Sequence, residues 1–248
     1  MSYFLSRGLA LSELLISLFI SSLLMSTMIG CYISHKRQYV QIKQQLEAHF
    51  ELSLVKELLT HSIRRAGFTP CLNINYLDSY DRRTNSREIR ALSLNRKDAI
   101  LAVNRMNEVF DELLTTSTAQ QLIISSHHRL KENHPMIIAD CTHAEIHQVT
   151  RVVQLKNSQI ISLARPLLFD YDESAAVGAW LEERWFIKSN HTQGNRLYYQ
   201  QLQTEELTSL VHSLELKEQQ IGERLLIDVS LGTSQQEAAR FSVAVRGL

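Results

Sequence analysis

The sequence predicts an α+β fold, in which one long N-terminal helix is followed by a β-rich domain. Up to residue 67 the chain is apolar or amphipathic at helical spacing, whereas after Pro70 it breaks into short alternating segments bounded by polar turns. A chain of 248 residues with 44% hydrophobic residues can build a substantial core. These observations indicate one helix packed on a sheet rather than a bundle or a repeat protein.

The first element is an almost wholly apolar segment, RGLALSELLISLFISSLLMSTMIGCYI, at residues 7–33. A helix of about 25 apolar residues is long enough to cross roughly 30 Å of hydrocarbon. Glu13 interrupts this segment near its beginning, and a carboxylate at the bilayer centre would cost about 2.5–3.5 kcal/mol. A plain membrane anchor therefore explains the length of the segment but leaves Glu13 without a role.

Two other kinds of N-terminal segment are alternatives. A removable secretory signal has a shorter apolar stretch without an acidic residue near its start. A lipoprotein signal would make Cys31 the mature N-terminus, because residues 28–31 (MIGC) are similar to the small-residue box that ends in a lipidated cysteine. This second alternative predicts a membrane lipoprotein with a β-rich binding head.

An amphipathic pattern continues the helix beyond the apolar segment. Its apolar positions are Tyr39, Ile42, Leu46, Phe50, Leu54 and Leu58, with Val55, Leu59 and Ile63 widening the stripe. Gly67 predicts a C-cap and Pro70 a stop, so the helix is expected to run from about Leu9 to Ala66. The lower half of the stripe is predicted to pack on the following domain.

The β-rich domain begins with a turn-rich segment, YLDSYDRRTNSREIR, at residues 76–90, which we expect to be an exposed loop. Many of the later segments alternate apolar and polar residues, as expected of antiparallel strands with one buried face. The predicted strands are residues 99–103, 121–125, 136–139, 146–155, 159–164, 180–187, 196–201, 213–216, 224–231 and 241–245.

Charge and motifs disfavour several classes of function. The 26 basic and 26 acidic residues cancel, so no long-range field attracts nucleic acid, and no nucleic-acid binding is predicted. The sequence lacks the glycine-serine elbow, the P-loop, the zinc-protease helix motif and the dinucleotide glycines, so we expect neither an enzyme nor a cofactor. Cys141, His143 and His147 are close in sequence, but on one strand these histidines would lie about 13 Å apart, which disfavours a shared metal.

The start of the chain resembles the class III signal of type IV prepilins and pseudopilins. The resemblance rests on Arg7 and Gly8, followed by LALSE and an apolar helix. It implies that prepilin peptidase cuts between Gly8 and Leu9 and that the new N-terminus at Leu9 is methylated. Glu13 would then be the fifth mature residue, which in this family contacts the free α-amine of a neighbouring subunit during assembly.

The physical basis of that contact is charge pairing in a medium of low polarity. Two unit charges 4 Å apart attract each other by about 4 kcal/mol at an effective dielectric constant near 20, which offsets much of the desolvation cost. Glu13 is therefore interpreted as an assembly contact.

Later segments resemble the PilW family of type IV minor pilins. They are residues 63–71 (IRRAGFTPC), 138–141 (IADC), 195–199 (NRLYY), 206–211 (ELTSLV) and 241–246 (FSVAVR). These segments occur in the same order as in that family and are spread along essentially the whole chain. The J-type minor pseudopilins of type II secretion share the signal and some later segments, so a minor pseudopilin is the alternative.

The resemblance implies a division of the chain into four parts. Residues 1–8 would be the prepilin leader, 9–33 the transmembrane and assembly half of the helix, 34–67 its amphipathic half, and 68–248 a β-rich periplasmic head. Such a protein waits in the inner membrane of a Gram-negative bacterium and then joins the pilus, at its tip. It primes pilus assembly, and its partners are other minor pilins, the major pilin, prepilin peptidase, the inner-membrane assembly platform and an adhesin at the tip.

The three cysteines fit this assignment. A periplasmic head lies in an oxidising compartment, where Cys71 and Cys141 can form a disulfide. Two buried free thiols are the alternative. Cys31 is interpreted as a small apolar residue of the helix.

Overall fold

The computed structural model of the chain describes residues 11–95, 98–190, 194–222, 224–233 and 238–247. Within these residues, helix α1 (Leu11–Arg64) is followed by a 3-10 helix (Ile74–Tyr76) and by thirteen strands. The strands are β1 (Asp78–Asp81), β2 (Leu92–Asn95), β3 (Ile100–Thr118), β4 (Gln121–Ser125), β5 (Pro135–Ala139), β6 (His143–Gln154), β7 (Ser158–Leu163), β8 (Ala176–Asn190), β9 (Gly194–Gln200), β10 (Thr204–Thr208), β11 (Val211–Ile221), β12 (Arg224–Thr233) and β13 (Ala239–Ala244). A long N-terminal helix followed by a large, mainly antiparallel β region confirms the predicted α+β class.

The chain divides into two compact units, with the boundary between Glu51 and Leu52. In the first unit the described residues are helical throughout. The second unit contains the last part of α1 and all of the described strands, and we call it the head.

Six strands of the head form a closed ring. The larger sheet has the order β10-β9-β8-β5-β6-β7-β4-β3-β2, β1 joins β6 in parallel, and an additional pairing joins β3 to β8. Strands β3, β8, β5, β6, β7 and β4 therefore pair in a circle. Strands β11, β12 and β13 form a separate antiparallel sheet.

The ring closes because two long strands change partners along their length. Residues 100–112 of β3 pair with β8, whereas residues 113–118 pair with β4. The register of β3 shifts between Met106 and Phe110 and again between Leu113 and Thr115. Strand β6 likewise shifts between Val149 and Arg151, where it passes from β5 to β7. Such irregularities bend a strand and increase its twist, which lets it turn a corner between two sheets.

Every strand of the ring contributes a side chain to one buried cluster, which we call the ring core. Representative members in chain order are Leu113, Ile124, Ile138, Val149, Ile161 and Val177. The ring core also contains Leu130 from the segment between β4 and β5.

A second cluster joins the end of α1 to both sheets. Val55, Leu59 and Ile63 of α1 are fully buried, at a spacing of four residues that places them on one face of the helix. Their partners in this cluster include Leu101, Val103, Trp185, Leu197, Ile227 and Val229. Fully burying one such side chain contributes about 1.5–3 kcal/mol, so this row is the main attachment of the helix end to the sheets.

This row corrects the predicted stripe. Leu54 and Leu58 are 57% and 41% exposed, so their predicted packing on the head is wrong for both. The apolar stripe is wide enough to contain two parallel rows of residues. Only contacts with the sheets select the row at Val55, Leu59 and Ile63.

Gly67 has the backbone conformation predicted for a C-cap, but the helix ends earlier than the predicted Ala66, and the Gly67 N–H donates to the carbonyl of Asn104 at 2.7 Å. Helix α1 ends at Arg64, and Gly67 has a φ of 71°, in the left-handed region that favours glycine. A Cβ atom there would lie 2.3 Å from Oδ1 of Asn73. The Asn73 amide donates to the carbonyls of Ala66 and Arg246, at 2.8 and 3.2 Å, and so ties the helix end to the C-terminal segment.

The predicted loop at residues 76–90 is wrong in part, because β1 lies within it. Strand β1 runs parallel to β6, with Asp78 opposite His143. Its sequence, DSYD, has low β-propensity, yet Ser79 and Asp81 are buried. Tertiary pairing therefore overrides composition at this strand.

Other differences concern strands that were not predicted and the extent of β3. Strands β2 and β10 are not among the predicted strands, and β3 continues fifteen residues past its predicted end at Val103, to Thr118. The register shifts of β3 interrupt the alternation of buried residues, which is the signal that identifies a strand in a sequence. Strand β4 alternates strictly and has the predicted bounds, Gln121–Ser125.

Candidate functional site

The first candidate site is the apolar part of α1. Residues 11–33 are helical and exposed, and the most apolar stretch of 18 residues contains no buried residue. By length and composition, α1 could cross a membrane. Exposed side chains such as Leu11, Phe19 and Met28 form a continuous apolar surface that is open to lipid or to another helix.

Four hydroxyl side chains within this surface are satisfied by the helix itself. Hydroxyl groups donate to backbone carbonyls three or four residues earlier, in four pairs: Ser17 to Leu14, Ser21 to Ser17, Ser22 to Phe19 and Thr27 to Leu24, at 2.7–3.0 Å. Because these hydroxyls need no water, they add little to the cost of burying the helix in an apolar medium.

Glu13 differs from those residues. It lies in the first turn of the described helix, where the helix dipole favours a negative charge, and its side chain is exposed. Within the described ranges it has no ion-pair partner. Arg7, Gly8 and Leu9, the predicted cleavage and methylation residues, lie outside the described residues, so the predicted contact with the amine of Leu9 stays a prediction.

The second predicted site is the pair Cys71 and Cys141, and in the structure the two residues are bonded to each other. Cys71 and Cys141 form a disulfide with a Cα–Cα distance of 5.2 Å, which rules out the alternative of two free thiols. Cys31 is free and exposed on α1. The disulfide connects the segment after α1 to the turn between β5 and β6.

Asp140 organises that turn. Its Oδ1 accepts the backbone N–H groups of Thr142 and His143, at 2.6 and 2.5 Å. Burial alone would raise the pKa of Asp140, but these hydrogen bonds outweigh it and lower the pKa. The turn that holds Cys141 is therefore stabilised by an ionised carboxylate.

The residues considered for metal binding have other roles. Cys141 is part of the disulfide, the ring of His143 stacks on Phe169 with centroids 4.3 Å apart, and His147 is fully buried. His147 Nε2 lies 3.0 Å from Oε2 of Glu145. In the part of the chain that the structure describes, no three His, Cys, Asp or Glu residues are arranged to hold a metal ion.

Glu145 is a buried anchor that the sequence analysis missed. Its carboxylate accepts the backbone N–H groups of Leu168 and Phe169, at 2.8–3.0 Å, and so fixes the segment after β7. Burial and the charge of Glu145 raise the pKa of Tyr171, which stays protonated. The signal in the sequence is a glutamate between the apolar residues Ala144 and Ile146 of β6.

A buried polar chain attaches the end of α1 to β3 and β8. The Ser62 hydroxyl donates to Oε2 of Glu183 at 2.5 Å and accepts the indole N–H of Trp185 at 3.1 Å. Arg105 donates to Oε1 of Glu183 from Nε and Nη2, at 2.9 and 2.8 Å. Burial and then the charge of Glu183 raise the pKa of nearby Tyr199 to about 12.

The ion pair between Arg105 and Glu183 provides a test of this attachment. Arg105→Gln should lower the free energy of unfolding of the head by about 3 kcal/mol, because it leaves a buried carboxylate without its cation. Denaturant unfolding followed by tryptophan fluorescence measures the change, since both tryptophans lie in the head. Arg184→Gln, at an exposed position of β8, is the matched control and should change stability by less than about 0.5 kcal/mol. Equal effects of the two variants would contradict the role given to Arg105.

Comparisons of this chain with protein-family models, with curated proteins and with solved structures find no match.

Proposed function

We propose that this chain is a type IV minor pilin of the PilW family, which primes pilus assembly and belongs to the tip complex of the pilus. In this proposal prepilin peptidase removes residues 1–8, and the mature chain waits in the inner membrane with its head in the periplasm. It then joins other minor pilins and the major pilin.

The observation that carries the proposal is the exposed apolar surface of α1 with Glu13 at its beginning. A helix in which Ser17, Ser21, Ser22 and Thr27 donate to its own carbonyls is suited both to lipid and to a packed core of helices. The same helix can therefore leave the membrane and enter a fibre without changing its own hydrogen bonds. Lateral packing of such helices is the interaction on which the proposed assembly depends.

Glu13 supplies the specificity of that packing. A carboxylate in an apolar medium favours any register that brings a cation beside it, and the free amine of Leu9 on a neighbouring subunit is the nearest candidate. A register shifted by one helical turn would displace the two charges by a further distance of about 5.4 Å along the helix axis, and most of the attraction between them would be lost.

The size and stabilisation of the head support a position at the tip. The head contains most of the chain, and the disulfide, the Asn73 cap and the buried Glu183 chain fix the end of α1 to it. A bulky head is difficult to repeat along a closely packed helical fibre. At the end of the fibre a bulky head can be accommodated, because it has neighbouring subunits on one side only.

The first test is the N-terminus of the mature protein in cells with and without prepilin peptidase. Intact mass and N-terminal peptide sequencing should identify a chain that begins at N-methylated Leu9 only when the peptidase is present. A chain that begins at a lipidated Cys31, or an uncut chain in both strains, would contradict the proposal.

Deletion of the gene separates a pilin from a pseudopilin. We expect a loss of surface pili with normal release of type II secretion substrates. A secretion defect with normal piliation would instead assign the chain to the pseudopilins.

A further inference from the structure

The head contains a cleft that the proposed function does not use. The cleft has a volume of about 380 Å³, within the range of ligand pockets, and it lies beside the segment that links β4 to β5. Its apolar lining includes Leu130, Val149 and Trp180, which are buried, and Leu202, which is 68% exposed at the rim.

One wall of the cleft is preformed, because the β4–β5 segment is fixed at its start. The buried Asp111 carboxylate accepts the backbone N–H groups of His127 and His128, at 2.7 and 3.1 Å. The amide of the fully buried Gln159 donates to the carbonyl of His128 at 2.5 Å. The start of the wall is thus held by two buried side chains.

The middle and the end of the same wall are also fixed. Leu130 inserts into the ring core, and backbone hydrogen bonds join Asn133 and His134 to Val149, at 2.9 and 3.2 Å. A ligand entering this cleft therefore would not have to order the wall, which reduces the entropic cost of binding.

The charges around the cleft are unevenly distributed. The lining residue Arg83 is paired with Asp81 and Glu182, at 2.9 and 2.5 Å, and the indole N–H of Trp180 also donates to Glu182. Burial would lower the pKa of Arg83, but its hydrogen bonds to these carboxylates outweigh it and raise the pKa. The charge of Arg83 is thus already balanced by the protein.

Two other cations that line the cleft have no counter-charge. Arg129 and Lys131 flank the buried Leu130, and both are exposed. Among the residues that the structure describes, neither has an ion-pair partner. The carboxylate of Glu132, which lies between Lys131 and Asn133 in sequence, accepts the backbone N–H of Val152 at 3.0 Å.

From this geometry we propose that the cleft binds a peptide segment of a partner protein, in which a large apolar side chain stands next to an acidic one. The apolar side chain packs on Leu130, Val149 and Trp180, while the carboxylate meets Arg129 and Lys131. The exposed Leu202 at the rim extends the apolar surface beyond the cavity, which suits a ligand that continues as a chain. A polyanion such as nucleic acid is disfavoured, since the chain as a whole has a net charge of zero.

The test uses the full chain in lipid nanodiscs, labelled with 5-fluorotryptophan. The chain has two tryptophans, and only Trp180 lines the cleft, so Trp185 serves as an internal reference. The probes are acetyl-Phe-Asp-amide and its isosteric neutral counterpart, acetyl-Phe-Asn-amide, with empty nanodiscs as the blank. Trp180→Phe assigns the resonance.

We expect the acidic peptide to shift the Trp180 fluorine resonance in a saturable way, with a Kd of about 1 mM or tighter. The neutral peptide should bind at least about tenfold more weakly, because it lacks the charge-assisted contact. Lys131→Gln should weaken binding of the acidic peptide about fivefold, while Lys156→Gln, at an exposed turn between β6 and β7, should leave it unchanged.

Two results would overturn the proposal. One is the lack of a saturable Trp180 shift up to about 10 mM acidic peptide, a concentration that corresponds to negligible affinity. The other is equal binding of the acidic and neutral peptides, which would reduce the cleft to a nonspecific apolar pocket. Neither result depends on whether the chain assembles into a pilus.

Discussion

Glu13→Ala is expected to reduce the number of surface pili at least about tenfold while leaving the protein in the membrane. Alanine removes the only acidic group of residues 9–33 and with it the proposed pairing to the amine of Leu9 on a neighbouring subunit. The pairing is worth up to about 4 kcal/mol at 4 Å, and a loss of only about 1.4 kcal/mol would change an association equilibrium tenfold. The apolar helix remains, so membrane insertion should not suffer.

The measurement is pilus counting by electron microscopy, together with immunoblots of the membrane fraction. Glu47→Ala is the matched control, since it removes an exposed glutamate from the same helix outside the apolar segment. Glu47 has only an exposed ion pair with Lys43, at 3.7 Å, which contributes little. Normal pilus counts in Glu13→Ala would refute the assembly role of this carboxylate.

Removal of the disulfide is expected to have the largest effect on stability. The bond closes a loop of 70 residues, which in the chain-entropy model stabilises the folded head by about 4 kcal/mol. Since the net stability of a domain is about 5–15 kcal/mol, Cys71→Ser should lower the free energy of unfolding by a large fraction. Cys71 and Cys141 are both exposed, so a reductant in solution should produce the same loss in the unmodified protein.

Denaturant unfolding with and without reductant provides the comparison. The double variant Cys71→Ser/Cys141→Ser should match the reduced protein, which separates loss of the bond from the effect of either serine. Cys31→Ser should leave the unfolding of the head unchanged, because Cys31 is free and exposed on the other unit. Identical midpoints for oxidised and reduced protein would contradict the proposed contribution of the bond.

The parts of the fold that were predicted well are those specified by local patterns. The long helix follows from apolar residues at helical spacing, and the turn just after it follows from Gly67, whose positive φ disfavours other residues. Strand β4 follows from strict alternation, which survives because β4 is short and the extra residues of its pairing with β3 lie on β3. Strand β1 is polar and was missed, since only its pairing with β6 makes it a strand.

The candidate sites divide in the same way. The spacing from Gly8 to Glu13 and the identity of Cys71 and Cys141 are visible in the sequence. The buried partners of Glu183 are not visible, because Ser62 is 121 residues away from it in the chain. The cleft beside Trp180 is likewise assembled from segments that are distant in sequence.

By itself, the sequence therefore determined the α+β class, the apolar helix with Glu13, the turn at Gly67 after the helix and the available cysteines. These features depend on backbone preferences and on hydrophobic periodicity within a few turns or strands. The tertiary structure alone decided which row of α1 is buried, how β3 and β6 close the ring, that Cys71 and Cys141 meet, and which cations remain unpaired beside the cleft. The physical reason is that each of these depends on packing, pairing and charge between residues far apart in the chain, where local patterns carry no information.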